Sequence, residues 1–200
     1  DAQLRPLIDR SLEPIGRWLA GFGISANHVT IAGAGFGLLA FILIAVDLAF
    51  IGLWMIILNR VADGLDGAVA RASGQTDFGG YLDLVVDFIF YSAIPLAFAI
   101  ANPDHALAAC FLCVSFMGTA SSFLGVAILA AKHNIKTDLR GKKAFYYLGG
   151  LTEGSETILV LCAMALWPNY FDYLAWGFGI LCWVTTGTRI YMAHSMFAAR

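Results

Sequence analysis

The sequence contains little charge. Asp, Glu, Lys and Arg make up 13% of its 200 residues, whereas soluble domains average about 25%. Hydrophobic residues make up 60%, and neither terminus carries a run of Lys and Arg. A net charge of -2 gives no basis for binding nucleic acid. These features disfavour a soluble or nucleic-acid-binding protein and predict an integral membrane protein.

The sequence also lacks the ligands for a structural zinc ion. Its four cysteines lie inside apolar stretches, where a thiol usually behaves as a small buried hydrophobe. Cys110 and Cys113 have the spacing of half a zinc site, but no second pair completes it. We therefore expect no zinc-binding role for the cysteines.

Apolar segments long enough to cross a membrane recur along the chain. Before them, apolar residues from Leu4 to Leu19 follow helical spacing while charged residues occupy the other faces, a pattern typical of a helix lying on a membrane. The prediction is an all-α membrane protein with a single domain over residues 1–200. It has an interfacial helix over 1–22 and six transmembrane helices within 25–193. The six segments are 25–46, 49–69, 79–101, 105–131, 144–167 and 171–193.

Lys and Arg are missing from every second connection between these segments. The connections near Asp47, over 102–105 and over 167–172 contain neither residue type. All basic residues therefore fall on one side of the predicted six-helix arrangement. Because basic connections remain in the cytoplasm, we predict a cytoplasmic N-terminus and a multi-pass protein of a bacterial inner membrane.

Four aspartates interrupt the apolar pattern at the cytoplasmic ends of the second and third segments. Asp63 and Asp66 are three residues apart and Asp83 and Asp87 are four apart, so each pair shares one face of its helix. The short connection over 72–78 predicts that the two helices are antiparallel neighbours. The four carboxylates are therefore expected to converge at one membrane face.

Four carboxylates in an apolar setting need compensating positive charge. Arg60 and Arg71 are the cations close to them in sequence, so a divalent cation is the natural supplement. Carboxylate oxygens favour Mg²⁺ or Mn²⁺, and Mg²⁺ often shares its coordination shell with substrate phosphates. Such a cluster could bridge two ions. The alternative is an ion-pair network without a bound metal.

The run from Asp63 to Asp87 resembles the signature of the CDP-alcohol phosphotransferase family. That signature is Asp-x2-Asp-Gly-x2-Ala-Arg, then seven or eight residues, then Gly-x3-Asp-x3-Asp. Every fixed position is met, with seven residues between Arg71 and Gly79. The predicted spans and the interfacial helix are also similar to the family, so the resemblance covers the whole chain.

The resemblance implies a reaction in phospholipid biosynthesis. A phosphoalcohol group, in particular a phosphatidyl group, would move from a CDP-alcohol such as CDP-diacylglycerol to an acceptor hydroxyl, with release of CMP. By this resemblance Asp63, Asp66 and Asp83 would bind metal as part of a site for two ions. Asp87 would bind metal and act as the general base. The family also suggests a homodimer, and small residues of the fourth segment, such as Ala108 and Gly118, could form its interface.

The same resemblance assigns residues to the CDP-alcohol. Ala26 stands where the family usually has a proline at the start of the first span. Its neighbour Asn27 could instead cap that helix. The residues expected to bind the CDP-alcohol are Asn27, Thr30, Asp66, Gly67, Arg71, Thr76 and Gly79.

The acceptor alcohol is not defined by the signature. In the branch of the family that uses inositol phosphate, the segment that corresponds to Glu153 looks like Glu-Arg-x-x-Arg. This chain has Gly154 and Thr157 in place of those two arginines. This difference weakens the case for inositol phosphate, although Arg140, Lys142, Lys143 and Arg189 could supply another anion site. Amine-bearing and polyol acceptors and a lipid hydroxyl stay open. The residues expected near the acceptor are Lys142, Lys143, Glu153, Glu156 and Arg189.

Two other functions use intramembrane aspartates. Membrane prenyltransferases use Asp-x2-Asp clusters and Mg²⁺ to bind a lipid diphosphate. They usually have more membrane spans and two separate Asp-rich motifs. Divalent-cation transporters also carry intramembrane carboxylates, but their sites belong near the bilayer midplane. The position of these aspartates at helix ends favours the phosphotransferase.

Overall fold

The computed structural model describes residues 5–133, 152 and 154–198, with side chains from residue 11 onward. All regular structure in these ranges is helical, which confirms the predicted all-α class. Single turns of 3₁₀-helix, Pro103–His105 and Pro168–Tyr170, precede two of the helices. The helices are α1 (Arg5–Gly21), α2 (Ala26–Ala45), α3 (Ala49–Ser73), α4 (Asp77–Ala101), α5 (Ala106–Lys132), α6 (Gly154–Leu166) and α7 (Phe171–Phe197).

Several of the described helices have the length and composition of membrane spans. Three qualify on their own: α2, α4 and the continuous segment Pro103–Lys132 that contains α5. Helices α6 and α7 qualify only together, with a bend of 117° between them, so the count is three, or four with that pair. Helix α3 has 25 residues but contains Arg60, Asp63 and Asp66. The first part of the predicted span 144–167 lies outside the described residues.

Local signals fix the helix ends near the aspartates. Ser25 caps α2, because its hydroxyl accepts a hydrogen bond from the His28 backbone N–H at 3.4 Å. The alternative role of Asn27 as this cap is therefore wrong. Helix α3 ends before Gly74, whose φ of +103° suits glycine. Thr76 caps α4 by accepting from the Gly79 N–H at 3.0 Å.

The arrangement of α2, α3 and α4 corrects one expectation from the sequence. Helix α2 packs along both α3 and α4, whereas α3 and α4 make few close backbone contacts with each other. A methyl group added to Gly33 would lie 3.1 Å from Ala62 of α3, and one added to Gly37 would lie 3.0 Å from the Phe90 ring of α4. Because glycines let α2 approach both helices, α3 and α4 face each other across a gap that their side chains bridge.

Two apolar cores support this arrangement. The smaller one contains Val29 and Val69, and Leu19 of α1 packs against it. Helix α1 crosses α3 closely there, since a methyl group on Gly16 would approach the Ala68 carbonyl carbon to 2.7 Å. Helix α1 therefore supports the part of α3 that carries the aspartates. The larger core includes the fully buried side chains of Ile44, Ile56, Ile94, Leu112, Met164 and Phe171.

Some small residues of α5 pack against other helices of the same chain. Ala108 and Ala109 are buried in the larger core. A methyl group on Gly118 would lie 3.1 Å from the Thr186 hydroxyl oxygen of α7. These residues bring α5 close to other helices of the same chain, and the homodimer interface expected from the sequence stays a prediction.

Candidate active site

Three aspartates form the centre of the candidate site. One carboxylate oxygen from each of Asp63, Asp83 and Asp87 lies within 4.8 Å of the other two. Two oxygens on opposite sides of one Mg²⁺ are separated by about 4.2 Å, twice the usual bond length. Small side-chain movements would therefore let one cation bind all three carboxylates, and their all-oxygen chemistry suits Mg²⁺ or Mn²⁺. The structure thus brings three of the four predicted metal ligands into one cluster.

Arg60 supplies positive charge to this cluster. Its Nη2 atom lies 2.8 Å from Asp87 Oδ1, and its Nη1 atom lies 3.6 Å from Asp63 Oδ1. The guanidinium carbon also lies 4.7 Å from the centre of the Phe90 ring, a cation–π contact. One guanidinium cannot neutralise three ionised carboxylates, so the cluster favours an additional cation.

Asn59 holds Arg60 in place. Arg60 Nε and Nη2 donate to Asn59 Oδ1 at 2.8 and 2.6 Å. The amide nitrogen of Asn59 in turn donates to the Gly33 carbonyl oxygen of α2 at 2.8 Å. Asn59 is buried. By holding the guanidinium it keeps Arg60 in contact with Asp63 and Asp87. Sequence reasoning missed this residue, although an amide directly before Arg60 in an apolar segment is a signal that could have marked it.

Asp66 makes a different contact from the other three aspartates. It is buried, and its Oδ2 atom accepts a hydrogen bond from Thr30 Oγ1 at 2.7 Å. Asp66 lines the same small hollow as the cluster of Asp63, Asp83 and Asp87. Its role as a metal ligand stays a prediction, and the structure adds that α2 orients its carboxylate through Thr30.

Tyr91 is a further residue of the site that sequence reasoning missed. Its hydroxyl donates to Asp87 Oδ2 at 3.3 Å and accepts from Arg60 Nη1 at 3.3 Å. Tyr91 follows Asp87 by four residues, the spacing that puts two side chains on one face of a helix. Asp87 is therefore held at both oxygens, by Arg60 and by Tyr91.

The residues predicted to bind the CDP-alcohol cluster beside the aspartates. A methyl group added to Gly79 would lie 3.1 Å from Asn27 Oδ1 and 3.0 Å from Thr76 Oγ1, so these three residues share one corner. On α3, a methyl group at Gly67 would lie 3.4 Å from Arg71 Nη1. The start of α2, the end of α3 and the start of α4 thus supply this set together.

A larger cavity lies on the other side of Asp87. Its volume is about 860 Å³, and residues of α4, α5, α6 and α7 line it. Of the residues predicted near the acceptor, Arg189 lines this cavity, is buried, and donates to the Thr119 carbonyl oxygen at 3.0 Å. Glu156 lies in the first turn of α6. Lys142, Lys143 and Glu153 lie outside the described residues.

Comparison with known proteins identifies the class of enzyme that carries this site. Residues 24–192 match the CDP-alcohol phosphatidyltransferase family. The chain belongs to this family and is a CDP-alcohol phosphotransferase. This membership confirms the resemblance seen in the aspartate signature and favours it over the prenyltransferase and transporter alternatives.

The relatives extend over nearly the whole chain. The inner membrane protein YnjF of Escherichia coli (strain K12) is 46% identical over 97% of this chain and 95% of its own length. The archaetidylinositol phosphate synthase of Pyrococcus horikoshii is 27% identical over 96% of this chain and 95% of its own.

A solved structure has the same fold. The phosphatidylinositol phosphate synthase of Mycobacterium tuberculosis, crystallised with CDP-DAG bound, superposes with a TM-score of 0.68 at 24% identity. The match covers 92% of this chain and 94% of that one. The helical arrangement described above is therefore the fold of that protein.

Proposed function

We propose that this protein transfers a phosphatidyl group from CDP-diacylglycerol to an acceptor hydroxyl and releases CMP. The observation that carries the proposal is the convergence of Asp63, Asp83 and Asp87 within 4.8 Å, in a chain that belongs to the CDP-alcohol phosphatidyltransferase family. The two synthases among its relatives, one of them crystallised with CDP-DAG, support CDP-diacylglycerol as the donor.

The proposal includes a site for two divalent ions, Mg²⁺ or Mn²⁺. Asp63, Asp83 and Asp87 would hold them, with Asp66 as the fourth carboxylate. When bound, such ions neutralise the donor diphosphate and stabilise CMP as the leaving group. The negative charge left on the cluster beside Arg60 is the property of this chain that supports metal binding.

Asp87 is proposed as the general base. The acceptor hydroxyl gives its proton to Asp87 as its oxygen attacks the phosphorus that carries the diacylglycerol, and the bond from that phosphorus to CMP breaks. Arg60 and Tyr91 position Asp87 by holding its two oxygens. On the other side, Thr30 positions Asp66. The CDP-alcohol would lie on the side of Asp66. The residues that would contact it are Asn27, Thr30, Asp66, Gly67, Arg71, Thr76 and Gly79.

The membrane arrangement forms the last part of the proposal. Residues 1–200 are proposed to form one domain with six membrane spans, and α1 is proposed to lie on the membrane surface. The carboxylates would face the cytoplasm, where a water-soluble nucleotide can leave, and two copies would form a homodimer. The placement of basic residues supports this orientation, and the E. coli relative that is an inner membrane protein supports the location.

The proposed reaction is tested by CMP release. The purified protein in lipid vesicles, given Mg²⁺ and CDP-diacylglycerol, is expected to release CMP only when a suitable alcohol is added. Release is measured by chromatography with a panel of glycerol 3-phosphate, inositol phosphate, serine and a lipid alcohol. A protein that releases no CMP with any of these acceptors would contradict the proposal.

The contact between Thr30 and Asp66 gives a sharper test of donor binding. Thr30→Val keeps the size of the side chain but removes the hydroxyl that donates to Asp66 at 2.7 Å. Hydrogen bonds to charged groups contribute about 1.5–3 kcal/mol, so kcat/KM for CDP-diacylglycerol is expected to fall by at least about tenfold, since 1.4 kcal/mol is a factor of ten. Thr30→Ser keeps the hydroxyl and is the matched control. Equal values for Thr30→Val and Thr30→Ser would rule out this role.

A further inference from the structure

The 860 Å³ cavity beside Asp87 lies apart from the residues expected to bind the CDP-alcohol. Sites for drug-sized ligands typically measure about 300–1,000 Å³. The cavity is therefore large enough for a substantial organic group. Residues of α4, α5, α6 and α7 line it together with Thr152, whereas the residues expected to bind the CDP-alcohol come from α2, α3 and the start of α4.

Asp87 lies between the large cavity and the hollow formed by the other aspartates. It lines the large cavity and also the small hollow that contains Asp63, Asp66 and Asp83. No other described residue lines both spaces. A donor held on the side of Asp66 and a second substrate in the cavity would therefore meet at the Asp87 carboxylate. The cavity is thus placed where the acceptor hydroxyl has to arrive.

The cavity wall on α5 also belongs to the outer surface of the protein. Val114, Met117 and Phe123 line the cavity, and they are 49%, 72% and 44% exposed. All three lie in Pro103–Lys132, one of the segments that could cross a membrane by itself. An apolar wall that is shared between a cavity and a lipid-facing helix surface opens the cavity toward the hydrocarbon of the bilayer.

Polar groups occupy other parts of the cavity wall. Ser92 of α4 and Thr119 of α5 line it, as does Arg189 of α7. Among the described residues that line the cavity, Arg189 carries the single positive charge. The described wall thus combines polar groups with an apolar side along α5, which suits a substrate with a polar end and a long apolar body.

We propose that the acceptor is a lipid alcohol already dissolved in the membrane. Its hydroxyl reaches Asp87 from the cavity, and its apolar chain passes along Val114, Met117 and Phe123 to the bilayer. The inference rests on the proposed transferase function and narrows its acceptor. The acceptor oxygen forms a bond to the donor phosphorus, the bond between that phosphorus and CMP breaks, and the hydroxyl proton passes to Asp87. The product is a phosphodiester that joins two lipid groups.

The acceptor class is tested with the intact protein in vesicles that contain CDP-diacylglycerol and Mg²⁺. Diacylglycerol and phosphatidylglycerol are the lipid alcohols, and glycerol 3-phosphate, inositol phosphate and serine are the water-soluble ones. CMP and the new phospholipid are measured by mass spectrometry. We expect CMP formation with at least one lipid alcohol to exceed that with every water-soluble acceptor by about tenfold or more, because only the lipid fills the apolar wall.

The role of the cavity is tested by filling it. Met117→Trp and Val114→Trp are each expected to lower kcat/KM for the lipid acceptor by about tenfold, since the added ring occupies space that the chain would bury. Leu107→Trp is the matched control, because Leu107 also lies on α5, is also 72% exposed, and does not line the cavity. Thermal unfolding and the KM for CDP-diacylglycerol should be unchanged in all three variants.

The possible outcomes separate the two proposals. No CMP with any acceptor would overturn the transferase function itself. CMP with water-soluble acceptors alone would overturn the lipid acceptor and leave the transferase function standing. Equal lipid turnover in Met117→Trp and Leu107→Trp would overturn the cavity assignment. If Met117→Trp instead changed the oligomeric mass and left the lipid KM unchanged, the α5 surface would be an interface between two copies, and the proposal would also fail.

Discussion

Replacing Asp87 with Asn is expected to lower the rate of CMP release by about 10³-fold, because a positioned general base typically contributes 10²–10⁴-fold. Asparagine has nearly the same size but cannot accept the hydroxyl proton. The fold should persist, since Arg60 keeps its hydrogen bonds to Asn59 and its ion pair with Asp63. The measurement is the initial rate of CMP formation with saturating CDP-diacylglycerol and acceptor, together with thermal unfolding.

Asp87 is also a predicted metal ligand, so the two roles have to be separated. If the loss came from weaker metal binding, a large excess of Mg²⁺ would restore much of the rate. We expect no such recovery for Asp87→Asn, because added metal does not replace a missing base. A variant that regains most of its activity at high Mg²⁺ would show that Asp87 acts as a ligand and that another group takes the proton.

Removing the metal, or one of its ligands, is the second change with a large expected effect. Activity should disappear with EDTA and return with Mg²⁺ or Mn²⁺, since four acidic side chains otherwise repel the donor diphosphate. For Asp63→Asn, the Mg²⁺ concentration that gives half the maximal rate should rise by at least about tenfold. Even the outer partners of metal ligands change affinity by 10–100-fold.

Asp77→Asn is the control for this experiment. Asp77 lies in the first turn of α4 and is exposed, and it is not part of the group formed by Asp63, Asp83 and Asp87. Its Mg²⁺ dependence should match that of the unaltered protein. Binding of Mn²⁺, followed by electron paramagnetic resonance, should weaken in Asp63→Asn but not in Asp77→Asn. Equal Mn²⁺ affinity in the two variants would argue for an ion-pair network in place of a metal site.

The contacts of Arg60 suggest how the chain keeps this acidic cluster folded. Arg60 contacts both Asp63 and Asp87 and is itself held by Asn59, which is anchored to the Gly33 carbonyl of α2. The counter-charge therefore depends on the close approach of α2. Because α2 packs against both α3 and α4, it sets the width of the gap into which the carboxylates project.

Much of the site could be predicted because it depends on short spacing along single helices. The intervals from Asp63 to Asp66 and from Asp83 to Asp87 place each pair on one helical face whatever the surrounding fold. The capping of α4 by Thr76 follows from similarly local chemistry. Contacts between helices could not be predicted in this way, since helical period does not set how far apart two axes lie or how each helix is rotated.

The amino-acid sequence by itself determined the all-helical class, the family and the aspartates at the ends of α3 and α4, because composition and spacing within a helix encode them. The tertiary structure alone decided that Asp66 contacts Thr30, that Arg60 holds Asp87, and that Asp87 borders a large cavity. The first two features join residues from different helices, and residues of several helices line the cavity. Glycines at the α2 contacts allow that approach, and their effect becomes visible only when the helices are packed.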